Sequence, residues 1–339
     1  MKKLLSCAVA AMITVSAPLF DMQTKAQADE IKPAVIFDRG GKFDKSFNEG
    51  VWTGVKRFID ETGIEVMEFE VTNDSQREQA MRRMMDRGAT ILLGVGFAQA
   101  DAIAAVSADY PDRQFAIIDV SWLDAPNLRQ YAFKEHEGSY LAGIAAAMTS
   151  ETNKVGFVGG MDISLIRKFA CGYVGGAKSV DPSMEVYQNM TGTTPTAWND
   201  PVKGAELTRS QIDRGADVIY QAAGGTGLGV IQAAADAGKY SIGVDSNQNH
   251  LAPGSVLTSM LKRVDLAAYQ TFMDVMNGEF TAGVQNLGIA EEGVGIAIDD
   301  NNRALITPEI AAAIESARND IIAGKIQVHN YETDNSCPY

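Results

Sequence analysis

The chain has 339 residues, of which 46% are hydrophobic and 21% charged, and its net charge is −14 at pH 7. A chain of this length exceeds the size at which a single hydrophobic core stops growing, so two domains are expected. The excess of acidic residues repels phosphate backbones and argues against nucleic acid as a partner.

The first 28 residues have the features of a cleavable secretory signal peptide. Two lysines precede an apolar segment, residues 4–20, and the small-residue sequence Ala26-Gln27-Ala28 follows it. We therefore expect the mature chain to start at Asp29 and to reside in the periplasm. Cys7 has no apolar region before it, which argues against processing as a lipoprotein. No later stretch reaches the ~18 consecutive apolar residues of a membrane helix.

Short apolar segments alternate with amphipathic ones along most of the chain. Their β-branched and aromatic content predicts strands at residues 34–38, 64–71, 90–96, 114–120, 154–160, 184–190, 217–224, 240–245 and 255–261. Between the first two strands, apolar residues from Phe47 to Ile59 recur at helical spacing, and Gly63 ends that helix. Regular alternation of this kind predicts parallel sheets with helices on both faces.

Two segments, residues 86–120 and 213–246, share one order of features. Each contains Arg-Gly-Ala, a strand, a glycine-rich turn, an alanine-rich helix, a second strand and an aspartate. We therefore predict an α/β fold with two doubly wound parallel-sheet lobes joined by a hinge. The boundaries assign residues 29–130 and 253–285 to the first lobe, and residues 131–252 and 286–339 to the second.

Polar residues at strand ends form the candidate binding site. In open parallel sheets a ligand lies beyond the carboxyl ends of the strands, and Asp38, Asp119 and Asp245 each end an apolar strand. One such aspartate more often caps a helix or holds a turn, but three at equivalent positions favour a shared cleft. Phe47 and Trp198 flank this region, and a flat ring between them would gain about 1–3 kcal/mol on each face.

The sequence offers few residues for catalysis or for a metal or cofactor site. The turn at residues 224–229 lacks the last glycine of the dinucleotide fingerprint, because Val230 occupies that position. The three histidines are far apart in sequence, and Cys171 and Cys337 offer no zinc cluster. We expect no enzymatic activity, no cofactor and no metal. Export would permit a disulfide between the two cysteines, but their spacing does not show one.

Several long motifs resemble the basic membrane protein family of bacterial transporter substrate-binding proteins, which includes purine nucleoside receptors. They extend over the mature chain and include DRGGKFDKSFNEG, FKEHEGSYLAG, GTTPTAWNDPVKGAEL, AAGGTGLG, GVDSNQN and LTSMLKRVD. The resemblance implies the type I periplasmic-binding-protein fold. We expect a monomer. The resemblance also implies a function: capture of purine nucleosides in an interlobe cleft for an ABC importer, whose permease subunits would be the protein partners.

The resemblance further assigns ligand contacts to individual residues. It implies that Phe47 and Trp198 sandwich the purine and that Asn48 and Asp119 meet the base. The ribose would be held by the remaining candidates, which are Asp38, Gly225, Asp245 and Lys262.

Other functions stay open on the sequence alone. A pentose or another small polar metabolite would use the aspartates but would leave Phe47 and Trp198 with little to stack on. A nucleoside hydrolase would gather aspartates around calcium, yet the three strand-end aspartates lack the crowded arrangement that such a site needs. A transcriptional regulator of the same fold would need a DNA-binding helix pair where the signal peptide is predicted.

Overall fold

A computed structural model describes residues 31–339, and the predicted signal peptide lies outside them. The strands, in chain order, are β1 (Pro33–Phe37), β2 (Met67–Glu70), β3 (Ile91–Gly94), β4 (Gln114–Ile118), β5 (Leu128–Phe133), β6 (Lys154–Met161), β7 (Glu185–Gly192), β8 (Val218–Ala222), β9 (Tyr240–Asp245), β10 (Val256–Lys262), β11 (Gly283–Leu287) and β12 (Val294–Ile296). The helices are α1 (Phe47–Thr62), α2 (Gln76–Asp86), α3 (Ala100–Asp109), α4 (Glu135–Thr149), α5 (Ser164–Val180), α6 (Pro201–Asp213), α7 (Gly227–Asp236), α8 (Val264–Asn277) and α9 (Pro308–Ile322).

The strands form two six-stranded sheets with equivalent orders. The first is β11-β5-β4-β3-β1-β2, and the second is β12-β10-β9-β8-β6-β7. Within residues 31–339 the pairings are parallel except that of β10 with β12. Strands β1, β3 and β8 are buried at every residue, as expected where helices cover both faces of a sheet. The predicted α/β fold with two doubly wound sheets is confirmed.

The chain passes between the two sheets after β5, after β10 and after β11. Of residues 253–285, all predicted in the first lobe, this path moves the strand at residues 256–262 to the second sheet. Strand β10 lies in the second sheet because it pairs with β9, whereas β11 pairs with β5 in the first sheet. Helix α8 packs against α1, and only a glycine at position 54 permits this approach, since a Cβ there would lie 2.0 Å from the carbonyl oxygen of Asp265. Residues 131–133, predicted in the second lobe, belong to β5 of the first sheet.

Helices α4 and α5 contact each other backbone to backbone on the second sheet. A Cβ at position 143 would lie 2.2 Å from the carbonyl oxygen of Tyr173, and one at position 176 would lie 1.9 Å from that of Tyr140. Glycine is required at both positions. A disulfide also joins Cys171 of α5 to Cys337 near the C-terminus, with the Cα atoms 5.6 Å apart. The structure thus decides the pairing that the sequence left open.

None of the helices between residues 31 and 339 is both long enough and apolar enough to cross a membrane.

Candidate functional site

A cavity lies between the two sheets, at the carboxyl ends of their strands. It contains about 610 Å³ of empty space, its open mouth included. The first sheet contributes residues that follow β1, β3 and β4, and the second contributes residues from α5 and from the ends of β8, β9 and β10. The predicted residues in the lining are Asp38, Phe47, Asn48, Asp119, Trp198, Asp245 and Lys262.

Aromatic side chains line the cavity from both halves. Phe47 is the first residue of α1, and Trp198 ends a short 3₁₀ turn, Pro195–Trp198. The Trp198 ring lies against the backbone of Gly160, where a Cβ would be 2.2 Å from the ring. Phe169 of α5 joins them in the lining. The cavity therefore offers several aromatic surfaces to a ligand.

The loop between β1 and α1 is held in place by its own polar side chains. Asp44 is buried and accepts hydrogen bonds from the backbone N–H groups of Ser46, Asn48 and Glu49, so it caps the start of α1. The Asn48 amide accepts from the Asp38 N–H at 3.1 Å and donates to Asp44 at 3.1 Å. Asn48 lines the cavity, but much of its hydrogen-bonding capacity serves this loop.

Asp38 lies at the end of β1 and pairs with a cation outside the lining. Arg77 of α2 approaches Asp38 Oδ1 with Nη2 at 3.1 Å. Burial raises the pKa of Asp38, and its hydrogen bonds and Arg77 only partly oppose this. The site therefore contains a carboxylate whose charge is shared with a guanidinium.

Asp119 and Asp245 follow equivalent strands, β4 and β9, and share an uncommon backbone conformation. Their φ angles are +65° and +62°, in the left-handed region that aspartate tolerates better than most residues. Such residues cost of order 1–3 kcal/mol each and persist where the surroundings fix them. The same conformation at both strand ends directs two carboxylates into one cavity.

Lys262, at the end of β10, is the buried cation of the site. Only 2% of its side chain is exposed, and its Nζ lies 2.6 Å from Asp119 Oδ1 and 2.9 Å from Glu135 Oε1. It also lies 5.2 Å from the ring centres of Phe47 and Phe133. Burial would lower the pKa of Lys262, but the two carboxylates raise it above its usual value. The neighbouring carboxylates therefore favour the charged form of Lys262.

Glu135, the first residue of α4, is fully buried between two lysines. Lys262 Nζ lies 2.9 Å from Glu135 Oε1, and Lys168 Nζ lies 2.7 Å from Glu135 Oε2. Burial would raise the pKa of Glu135, but Lys168 and Lys262 lower it to about 2. Two cations thus keep a completely desolvated carboxylate ionised beside the cavity.

Asp245 has a different environment, at the seam between the two halves. Ser46 Oγ donates to Asp245 Oδ2 at 2.6 Å, and burial raises the pKa of Asp245 to about 7. Further hydrogen bonds cross the same seam. Ser46 Oγ also donates to the Val244 carbonyl at 3.5 Å, while Ser246 Oγ donates to the Ser46 carbonyl and Gln248 Nε2 donates to the Lys45 carbonyl, both at 2.8 Å. The start of α1 is therefore connected to the segment that follows β9.

One predicted residue lies beside the cavity and not in its lining. Gly224 lines the cavity, whereas Gly225 lies under the Trp198 carbonyl, where a Cβ would be 3.3 Å from that oxygen. Gly224 thus lies closer to the cavity than Gly225, and contact of a ligand with Gly225 stays a prediction. The difference arises because the chain turns at Gly224, with φ +57°, into a 3₁₀ turn that carries Gly225 away.

The sequence reasoning also missed residues that shape the site, chiefly Asp44, Ser46, Arg77, Glu135 and Phe169. Glu135 stands in the motif FKEHEGSYLAG, where a charge before a long apolar helix was the available signal. No signal in the sequence identified Phe169, because its helical context does not distinguish a core position from a cavity wall. Among residues 31–339 no cluster of three or more histidine, cysteine or acidic side chains could hold a metal ion.

Comparisons with known proteins agree with this architecture. The family described as "ABC transporter substrate-binding protein PnrA-like" (Bmp) matches residues 31–332. The chain is 32% identical to the "ABC transporter nucleoside-binding protein BmpA" of Lactococcus lactis, over 88% of this chain and 89% of that protein. It is 32% identical to "Basic membrane protein A" of Borreliella afzelii, over 88% and 91%.

A solved structure is similar over nearly the same range. The crystal structure of an ABC transporter solute-binding protein from Aeropyrum pernix K1 has a TM-score of 0.81 and 26% identity, and the match covers 88% of this chain and 93% of that one. The family match and the relatives cover most of residues 31–339. The chain therefore belongs to the Bmp family of PnrA-like ABC transporter substrate-binding proteins.

Proposed function

We propose that the protein captures purine nucleosides in this cavity and delivers them, chemically unchanged, to the permease of an ABC importer. The observation that carries the proposal is that Phe47 and Trp198 line one cavity with Asp38, Asp119 and Asp245. Aromatic surfaces suit a flat base, and carboxylates suit a ribose. The Lactococcus relative, named as a nucleoside-binding protein, supports the same class of ligand.

Each part of a nucleoside has a matching group in the lining. Stacking of a base on an aromatic side chain contributes about 1–3 kcal/mol. Ribose hydroxyls donate to carboxylates, and hydrogen bonds to charged groups contribute about 1.5–3 kcal/mol each. After the entropy of capture is subtracted, a few such contacts reach the roughly −8 kcal/mol of a micromolar ligand.

The charges of the lining favour a neutral ligand. Its acidic side chains, those of Asp38, Asp44, Asp119 and Asp245, outnumber its cations, Arg39 and Lys262. Lys262 is already compensated by Asp119 and Glu135. Arg39 pairs with the exposed Asp74 at 3.4 Å. A nucleotide would therefore bring a phosphate dianion close to these carboxylates while both cations of the lining are already paired. Nucleosides are therefore expected to bind and nucleotides to be rejected.

The alternative ligand and the alternative activity have weaker support. A free pentose could use the carboxylates but would leave the surfaces of Phe47 and Trp198 without a partner. A hydrolase that gathers aspartates around calcium needs carboxylates free to bind the ion. Here Asp38 is engaged by Arg77, and Asp119 by Lys262.

Capture requires the two halves to move relative to each other. The three connections between the sheets would act as the hinge, and the contacts of Ser46 with Asp245 and Ser246 would form on closure. A ligand that touches both halves stabilises the closed form, because its contacts exist only there. The predicted signal peptide would place this cycle in the periplasm.

Fluorescence titration tests the proposal. The chain has three tryptophans, and Trp198 alone among them lines the cavity. We expect adenosine, guanosine or inosine to change the emission at micromolar concentrations, while ribose and adenosine monophosphate do not. Trp198→Ala should weaken binding by about tenfold or more, in line with ~1–3 kcal/mol of stacking. Isothermal calorimetry measures this variant, because it lacks the tryptophan that reports binding.

Trp122→Ala is the matched control, because the Trp122 side chain is exposed and lies outside the lining. It should bind like the wild type. Equal affinity for ribose and nucleosides would favour the pentose alternative. Comparable affinity for adenosine monophosphate would contradict the electrostatic argument, and release of hypoxanthine from inosine would identify a hydrolase.

A further inference from the structure

The C-terminal strap, defined as residues 330–339, lies along one face of α5. Four contacts connect them: a hydrogen bond, an ion pair, a disulfide and close packing of an aromatic ring on a glycine. The hydrogen bond joins Ser164 to Asn335 at 3.0 Å, the ion pair joins Lys168 to Glu332 at 2.7 Å, and the disulfide joins Cys171 to Cys337. The Tyr339 ring packs on Gly175, where a Cβ would lie 2.6 Å from the ring. The α5 members recur at spacings of three and four residues, so they form a single helical stripe.

Another part of α5 belongs to the ligand cavity. Leu165, Ile166 and Phe169 line the cavity, and they alternate along the helix with the residues that the strap contacts. The helix thus lies between the strap and the proposed ligand. Anything that shifts α5 on the strap side also shifts one wall of the cavity.

A chain of alternating charges runs from the strap to the cavity. Lys168 Nζ lies 2.7 Å from Glu332 and 2.7 Å from Glu135. Glu135 in turn lies 2.9 Å from Lys262, which lies 2.6 Å from Asp119. Lys168 also donates to the Phe133 carbonyl at 3.1 Å. The charge order from strap to cavity is therefore negative, positive, negative, positive, negative.

The critical link in this chain is Lys168, which is shared between Glu332 and Glu135. Glu135 is fully buried and must divide its two oxygens between Lys168 and Lys262. Because Glu332 takes part of the donor capacity of Lys168, Glu135 keeps one oxygen for Lys262. Without Glu332, Lys168 would donate more fully to Glu135 and draw it away from Lys262. The contact with Asp119 alone would then position the ammonium group of Lys262.

We propose that the strap, fastened by the Cys171–Cys337 disulfide, positions Lys262 for ligand binding through Glu332, Lys168 and Glu135. Glu332 is a positioning residue in this scheme, since it acts only through its neighbours. The expected change in nucleoside affinity rests on the proposed function. The expected change in the mobility of the residues around Lys262 does not.

Removing the charge of Glu332 tests the inference. Glu332→Gln should weaken nucleoside binding by roughly threefold to tenfold, as couplings carried through side-chain networks do. Glu332→Asp should recover part of the loss, because it restores the charge at a slightly greater distance. Asp334→Asn is the matched control: it also removes a carboxylate from the strap, but Asp334 bonds to His329 and Ser336 and lies outside the charge chain.

Unfastening the strap gives an independent readout. The double variant Cys171→Ser, Cys337→Ser should weaken binding to a similar degree. Adding Glu332→Gln to it should cause little further loss, because both changes break one connection and their effects are not additive. Wild-type affinity in Glu332→Gln, or an equal loss in Asp334→Asn, would overturn the inference.

Hydrogen exchange separates this inference from the proposed function. In the protein without ligand, Glu332→Gln should accelerate amide exchange in β10 and at the start of α4, and Asp334→Asn should not. If the wild type bound no nucleoside, the proposed function would fail while this comparison still decided the inference. Unchanged exchange in Glu332→Gln would overturn the inference whatever the ligand is.

Discussion

The two halves of the protein place an aspartate at equivalent strand ends, with the same backbone conformation but with different partners. Asp119 ends β4 beside the buried ammonium group of Lys262, whereas Asp245 ends β9 and accepts from the neutral hydroxyl of Ser46. The first is part of a buried ion pair, in which burial raises the pKa of Asp119 and Lys262 only partly opposes this. The second has a pKa near 7 and lies at the seam where the halves meet. A repeated fold has thus produced one buried carboxylate beside a cation and one whose hydrogen bond comes from a neutral hydroxyl.

Removing the cation on the Asp119 side should have the largest effect on stability. Lys262→Met leaves Glu135 and Asp119 buried with less compensation, and breaking a buried pair by removing one partner costs about 3–5 kcal/mol. Denaturant unfolding measures this loss. The control is Lys56→Met, which removes an exposed ion pair with Asp60 and should cost less than about 1 kcal/mol. Equal losses in both variants would show that the buried charge network has no special role.

Replacement of each of the two aspartates by asparagine should change the free energy of unfolding in opposite directions at pH 8. Asp119→Asn weakens the ion pair with Lys262 and should lower the free energy of unfolding by about 1–3 kcal/mol. Asp245→Asn replaces a carboxylate that burial destabilises in its charged form, so it should raise the free energy of unfolding by roughly 1 kcal/mol or more. Changes of the same sign in the two variants would contradict the division of roles.

Asp245 should make its own contribution to the pH dependence of stability, and the variant Asp245→Asn isolates it. Its folded pKa of about 7 lies above the unfolded value near 3.8, so the folded state binds its proton more tightly. The resulting stability is fully present below pH ~4 and is lost as pH rises through 7, with a slope of at most about 1.4 kcal/mol per pH unit. Urea unfolding from pH 4 to 8 measures the free energy of unfolding of the wild type and of Asp245→Asn. The difference between the two should show this slope, and a difference that does not change with pH would contradict the prediction.

Loss of the seam hydroxyl should have the smallest effect. Ser46→Ala removes the donor to Asp245 but leaves the two backbone carbonyls of the seam in place. A neutral hydrogen bond contributes about 0.5–1.5 kcal/mol, so nucleoside affinity should fall by about threefold to tenfold at most. Isothermal calorimetry measures the change. A loss as large as that of Trp198→Ala would place the main ligand contacts at the seam.

The sequence predicted the elements whose signals are local. Asp38, Asp119 and Asp245 were identifiable because each ends an apolar strand, and the internal repeat placed two of them at equivalent positions. Strand β5 was missed because its buried residues include Arg129 and Gln130, whose polarity conceals a strand. With β5 missing, β10 was assigned to the wrong sheet.

Long-range pairing explains the remaining differences. Glu135 is buried only because lysines from two distant segments meet it, and no spacing in the sequence reports that. The disulfide joins residues 166 positions apart, so its formation depends on α5 and the C-terminus meeting in the fold. The distinction between Gly224 and Gly225 depends on a single turn, which the letters of the motif do not fix.

The three passages of the chain between the sheets have a consequence for dissection of the protein. Along the sequence, β11 of the first sheet lies between β10 and β12 of the second sheet. No single cut of the backbone therefore separates one sheet from the other. Neither half is a contiguous fragment that could be expressed by itself. Splitting the protein for a sensor therefore yields two pieces that can complete both sheets only by reassembling.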